Sequence, residues 1–132
     1  MKQLSIGSTN QFLPRQIVCL EHEHTCLYAE VIEVVSSRQV CWVRPLMLAV
    51  STADNQSLSL SLPEQLTLYD LRQGSDLLWP TSLFRLALDT EVISLLGQLN
   101  SPDNPSVNNL DASKKLRCFI HRVWQAYQSA FL

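Results

Sequence analysis

QIVCLEHEHTCLYAEVIEVVSSRQVCWVRPLMLAV, residues 16–50, is dense in β-branched, aromatic and aliphatic side chains, broken at Glu23–Thr25 and at Ser36–Arg38. Such side chains fit a pleated, partly buried surface, and short polar breaks between apolar runs are turn signals. The stretch predicts three antiparallel strands in a meander, near 16–21, 26–35 and 39–50. None alternates cleanly. Leu27, Ala29, Val31 and Val35 fall on one side of the second strand, Tyr28, Ile32 and Val34 on the other. Apolar residues on both sides need cover on both faces, as in a curled sheet with a helix on its outside. Pro45 has no N–H to give to a ladder, so the third strand is at an edge, bulged or bent there.

Beyond it, Ser57–Leu62 alternates serine with leucine, a period-2 strand ended by Pro63. Gln65–Leu71 predicts a fifth strand with Leu66 and Leu68 on one face. Arg72-Gln73-Gly74-Ser75 turns the chain into the short apolar run Leu77-Leu78-Trp79, stopped by Pro80. Strands this short, joined by tight turns, predict a small curled antiparallel sheet or barrel of five to six strands over about 14–80.

After Pro80 the period changes to that of helices. Thr81–Ala87 is long enough for about two helical turns. Asp89 or Thr90 can cap a second helix with a stripe of Val92, Ile93, Leu96 and Leu99. Asn100–Leu110 is rich in asparagine and proline and predicts a loop, and Asp111 can cap a last helix. There Leu116, Phe119, Ile120, Val123, Trp124, Tyr127, Ala130 and Phe131 share one face and Lys114, Lys115, Arg117, His121, Arg122 and Gln125 the other. The expected class is α+β, mainly β: a sheet or barrel followed by two or three helices over about 81–132, the last amphipathic. At 132 residues and 46% hydrophobic content, one domain over 1–132 is expected.

The net charge of −2 hides an asymmetry. Residues 111–132 carry four bases against one acid, net +3, and residues 1–110 six bases against eleven acids, net −5. A basic end of that size gives weak non-specific affinity for nucleic acid at ordinary salt. No apolar run approaches the ~20 residues that span a bilayer, and the first residues lack the apolar centre of a secretory signal. A soluble cytoplasmic protein without membrane contact is expected, with Cys19, Cys26, Cys41 and Cys118 reduced.

Cys118 interrupts the basic helix face, within a turn of Lys114, Lys115, His121 and Arg122. Cations favour the thiolate, which makes Cys118 a candidate redox-responsive thiol; the alternative is a second contact between helix and sheet. Cys19, His22, His24 and Cys26 surround a hairpin tip and are all metal-ligand types, but their spacing matches no standard zinc signature. No metal and no cofactor are expected. Gly7, Gly74 and Gly97 form no phosphate-cradling loop, and neither GxSxG nor HExxH occurs. Trp42, Trp79 and Trp124 are expected to pack together where sheet meets helix.

Leu68-Tyr69-Asp70-Leu71 resembles the Ala-Leu-Tyr-Asp-Tyr motif of SH3 domains, and Leu78-Trp79-Pro80-Thr81 their strand-to-turn Pro-Ser-Asn-Tyr region. In that family the first motif opens the domain and the second closes it. Here they are almost adjacent, so the resemblance implies an SH3-like barrel and no proline-peptide site. Asp70–Leu96, with Asp76-Leu77-Leu78-Trp79-Pro80 and Ala87-Leu88-Asp89-Thr90-Glu91-Val92, is similar to small conserved cyanobacterial proteins of unassigned function. That similarity implies a bacterial cytoplasmic setting.

The sequence leads to a non-enzymatic interaction or regulatory module that binds a protein partner or a second copy of itself. One alternative is RNA or single-stranded DNA binding through Lys114, Lys115, Arg117, His121 and Arg122, which requires Arg38, Arg44 or Arg72 on the same surface. The other is a thiol switch at Cys118.

Overall fold

The computed structural model describes residues 12–51, 66–101 and 109–131. The strands are β1 (Ile17–His22), β2 (Thr25–Val35), β3 (Val40–Ser51), β4 (Leu66–Asp70), β5 (Leu77–Pro80) and β6 (Arg85–Leu86). The helices are α1 (Asp89–Leu99) and α2 (Asn109–Ala126), with 3₁₀ turns at Ser36–Arg38, Thr81–Leu83 and Gln128–Phe131. All pairing is antiparallel, in the order β4-β3-β2-β1-β6, with β5 beside the first part of β3. The class is α+β, mainly β, as expected. Among the described residues β4 and β6 end the sheet and do not pair, so it is curled but open.

The meander lies where the sequence puts it. Glu23 and His24 make the first turn, with Glu23 at φ 55, and Gln39 adopts φ 55 at the end of the second. Two bulges interrupt β2 and β3: Ile32 is an extra residue on β2, and Leu46, directly after Pro45, an extra one on β3. Each reverses the alternation of its strand. Val31 and Val34 therefore share a face, opposite Val43 and Cys41, although strict alternation would separate them. β4 pairs with Met47–Ser51 and β5 with Val40–Val43, so Pro45 sits in the gap between them on that edge of β3, where no ladder donor is needed.

Both faces carry a core. On one, Val18, Leu20, Leu27, Ala29, Val31, Cys41, Val43 and Leu48 pack with Ala112, Phe119 and Val123 of α2. On the other, Cys19, Cys26, Tyr28, Met47, Ala49 and Leu68 pack with Val92, Leu95 and Leu99 of α1. Two helices thus do what barrel closure would otherwise do, removing the apolar surface of both faces from water.

Several local expectations are corrected. Thr81–Ala87 forms a single 3₁₀ turn and then β6, whose Leu86 and Arg85 pair with Val18 and Cys19. The free edge of β1 and the burial of Phe84 decide this against a helix. α1 begins at Asp89 after an extended Leu88, whose N–H donates to Glu91 Oε1 at 2.8 Å, so neither Asp89 nor Thr90 is its cap. Asp111 lies in the first turn of α2 rather than before it. Ile93 points to water at 71% exposure while Leu95 takes its place in the core. Ser57–Leu62 and most of the Asn100–Leu110 loop lie outside the described residues. Among those described, no helix is long and apolar enough to cross a membrane.

Candidate functional site

α2 lays Ala112, Phe119 and Val123 on the sheet, and geometry at ~100° per residue then aims its charges outward. Lys114, Lys115, Arg117, Cys118, His121 and Arg122 are all exposed. Lys115 Nζ sits 6.0 Å from the centre of the Tyr69 ring, and Arg122 lies 3.9 Å from Glu23 in the β1–β2 turn. Lys114 and Arg117 have no acidic partner among the described residues. Cys118 is exposed among them. The other three thiols are buried.

The cations of the strand region lie elsewhere. Arg44 follows Trp42 on the α1 face of β3, and its Nε donates to Asp76 Oδ1 at 3.3 Å. Arg72 donates to both oxygens of Asp70, at 2.9 and 2.8 Å, and to Asn100 Oδ1 at the end of α1 at 3.0 Å. Its hydrogen bond to Asp70 holds that carboxyl below its ordinary range. Arg44 and Arg72 are thus on the α1 side, and Lys114, Lys115 and Arg122 on the α2 side. Arg38 is exposed in the β2–β3 turn.

The β1–β2 turn divides the possible metal ligands. Cys19 and Cys26 point to the α1 face and are buried, while His22 points to the α2 face, 3.4 Å through Nδ1 from the Tyr127 hydroxyl. His24 is exposed in the turn. No three histidine, cysteine, aspartate or glutamate side chains converge as a metal site among the described residues.

One polar cluster that sequence reasoning missed sits beneath the start of α1. Tyr28 donates its hydroxyl to Glu91 Oε2 at 2.8 Å, and Arg85 Nη1 and Leu88 N–H donate to Glu91 Oε1 at 3.2 and 2.8 Å. Burial pushes the Glu91 carboxyl up, but the donors Leu88, Tyr28 and Arg85 outweigh it and the group ends below its usual range. Beside it, a hydrogen bond from Cys26 and attraction to Arg85 lower the Cys19 thiol against burial. Donation to Cys19, then burial, raises Cys26. Burial, then the neighbouring thiol and Glu91, raises Tyr28. Both Glu91 oxygens are engaged within the protein, which makes the cluster a clasp between sheet and helix.

The second missed feature is a surface. α1 covers the part of its sheet face formed by Cys19, Cys26, Tyr28, Met47, Ala49 and Leu68. Further along, Trp42 pairs with Leu78 of β5 on one side and Glu33 of β2 on the other, and Arg44 pairs with Glu30. Trp42 is 40% and Leu78 55% exposed, large values for side chains of that size in a sheet. Asp76 holds Trp42 in place, since Oδ2 accepts its indole N–H at 3.0 Å while Oδ1 accepts from Arg44. Trp79, the next residue after Leu78, faces the other way and stacks edge-on against Phe131 with ring centres 5.5 Å apart. The three tryptophans therefore do not pack together: Trp42 and Trp79 are on opposite faces, and Trp124 is 47% exposed on α2. The sequence signal for this surface is the alternation Cys41-Trp42-Val43-Arg44.

No family model, curated protein or solved structure matches the chain.

Proposed function

We propose that the chain is a non-enzymatic protein-interaction module that docks a protein on the Trp42–Leu78 surface. The observation that carries this reading is the fixed, half-exposed indole of Trp42 beside Leu78, clamped by Asp76 and ringed by Glu30, Glu33 and Arg44. An aromatic anchor whose rotamer is already held loses little entropy on binding, and anchors of this kind, rimmed by polar groups, dominate protein interfaces. The engagement of both Glu91 oxygens by Tyr28, Arg85 and Leu88 supports the same reading, because its carboxylate is committed to structure rather than to a substrate.

The test uses the full chain and its Leu78→Asp and Trp42→Ser variants as baits, with quantitative cross-linking of what they hold. Proteins retained by the unaltered chain and lost by both variants support the reading. A profile that neither substitution changes overturns it.

A further inference from the structure

The two solvent-facing aromatic patches of the described residues carry opposite charge and lie on opposite sides of the sheet. On the α1 side, Trp42 and Leu78 are flanked by Glu30 and Glu33, which have no basic partner among the described residues, while Arg44 and Asp76 neutralise each other. On the α2 side, Arg117, His121 and Trp124 follow at i, i+4 and i+7 and form one exposed ridge, with Lys114 one turn before Arg117. Each patch offers an indole and an unpaired charge, and the signs are complementary. The same asymmetry runs through the whole chain, with residues 111–132 net basic and the remainder net acidic. A molecule polarised in this way steers copies of itself head to tail.

We infer that the occupant of the Trp42–Leu78 surface is the α2 ridge of a second copy of this chain. The inference rests on the docking surface proposed above and names its partner. The two patches differ, so the contact is heterologous: a two-copy complex keeps one free acidic patch and one free basic ridge and can take up a further copy at either end. Glu33 and Glu30 meet Arg117 and Lys114 around a centre made by Trp42, Leu78 and Trp124. Charges at such a rim set register and association rate, and a like-charge reversal opposes docking.

Sedimentation velocity of the full chain under reducing conditions, over a concentration series and at two salt concentrations, tests this with Glu33→Lys and Arg117→Glu. The average mass of the unaltered chain should rise with concentration and fall with added salt. Each single reversal should weaken association about tenfold or more. Mixing the two variants gives the decisive readout. The intact ridge of Glu33→Lys fits the intact acidic patch of Arg117→Glu, and the two reversed charges also attract each other, so the mixture should regain the association that each variant alone has lost. Glu30→Lys and Lys114→Glu form a second pair, should either first variant lose its fold by circular dichroism. An unaltered chain that stays at one-copy mass throughout overturns the inference, and so does association that Glu33→Lys leaves unchanged. A one-copy chain whose captured proteins still depend on Leu78 would leave the docking surface standing and remove only the second copy as its occupant.

Discussion

The Tyr28 hydroxyl donates to Glu91 Oε2 at 2.8 Å, joining the middle of the sheet to the first turn of α1 across 63 residues of sequence. It is the polar counterpart of the apolar contact that Val92, Leu95 and Leu99 make with the same sheet face. Tyr28→Phe removes the donor and keeps the ring, so the cost is that of one hydrogen bond to a charged group. The expected loss is about 1.5–3 kcal/mol of unfolding free energy, read from urea denaturation at neutral pH. An unchanged midpoint would show that the hydroxyl does not hold α1.

Glu91 also makes stability depend on acid. Burial alone would raise its carboxyl, but the donors Leu88, Tyr28 and Arg85 leave it below the ordinary 4.5 in the folded protein. Between the folded and unfolded values the unfolded chain binds more protons, so stability rises with pH across that window. The contribution is complete above about 4.5 and is lost as pH falls through the lower folded value. Asp70, lowered by Arg72, adds in the same direction. Glu91→Gln should therefore be less stable at neutral pH and should lose less on acidification, seen as a flatter acid limb in a plot of denaturation midpoint against pH.

The four thiols should divide one against three. Cys118 is exposed on α2, whereas Cys19, Cys26 and Cys41 lie within the two cores. A small alkylating reagent should modify Cys118 quickly in the native protein and reach the others only as fast as the structure opens. Cys118→Ser should abolish the fast phase. Four thiols reacting at one rate would mean that the sheet does not protect its cysteines.

What the sequence made legible was local. The meander of β1, β2 and β3 could be read from 35 consecutive residues because its turns and strands are contiguous, and α2 because its apolar and basic residues separate by face. The bulges at Ile32 and Leu46 could not, since an inserted residue reverses alternation without leaving a mark in composition. β6 was hidden because two residues gain their strand conformation only from pairing with Val18 and Cys19, far away in the chain. The cations of the basic ridge were visible in the pattern of α2, whereas Trp124 falls there on the apolar face and only its exposure places it on the ridge. Its acidic counterpart was not, because Trp42 and Leu78 both sit in apolar runs that read as core, and only the pairing of β5 with β3 brings them together beyond the reach of α1.

α1 offers the sharpest test of the packing, because two stripes fit its sequence. Val92, Ile93, Leu96 and Leu99 form one, and Val92, Leu95 and Leu99, at i, i+3 and i+7, form the other. The sheet selects the second: Leu95 is 7% exposed against Tyr28, Met47 and Leu68, while Ile93 is turned to water. Leu95→Ala removes buried methyl groups and leaves a cavity beneath the helix, which should cost about 2–4 kcal/mol. Ile93→Ala removes exposed surface, and with the better helix propensity of alanine its effect should stay within about 0.5 kcal/mol of zero. Paired urea denaturation curves measure the contrast, and equal losses would place Ile93 in the core and rotate α1 from the position described.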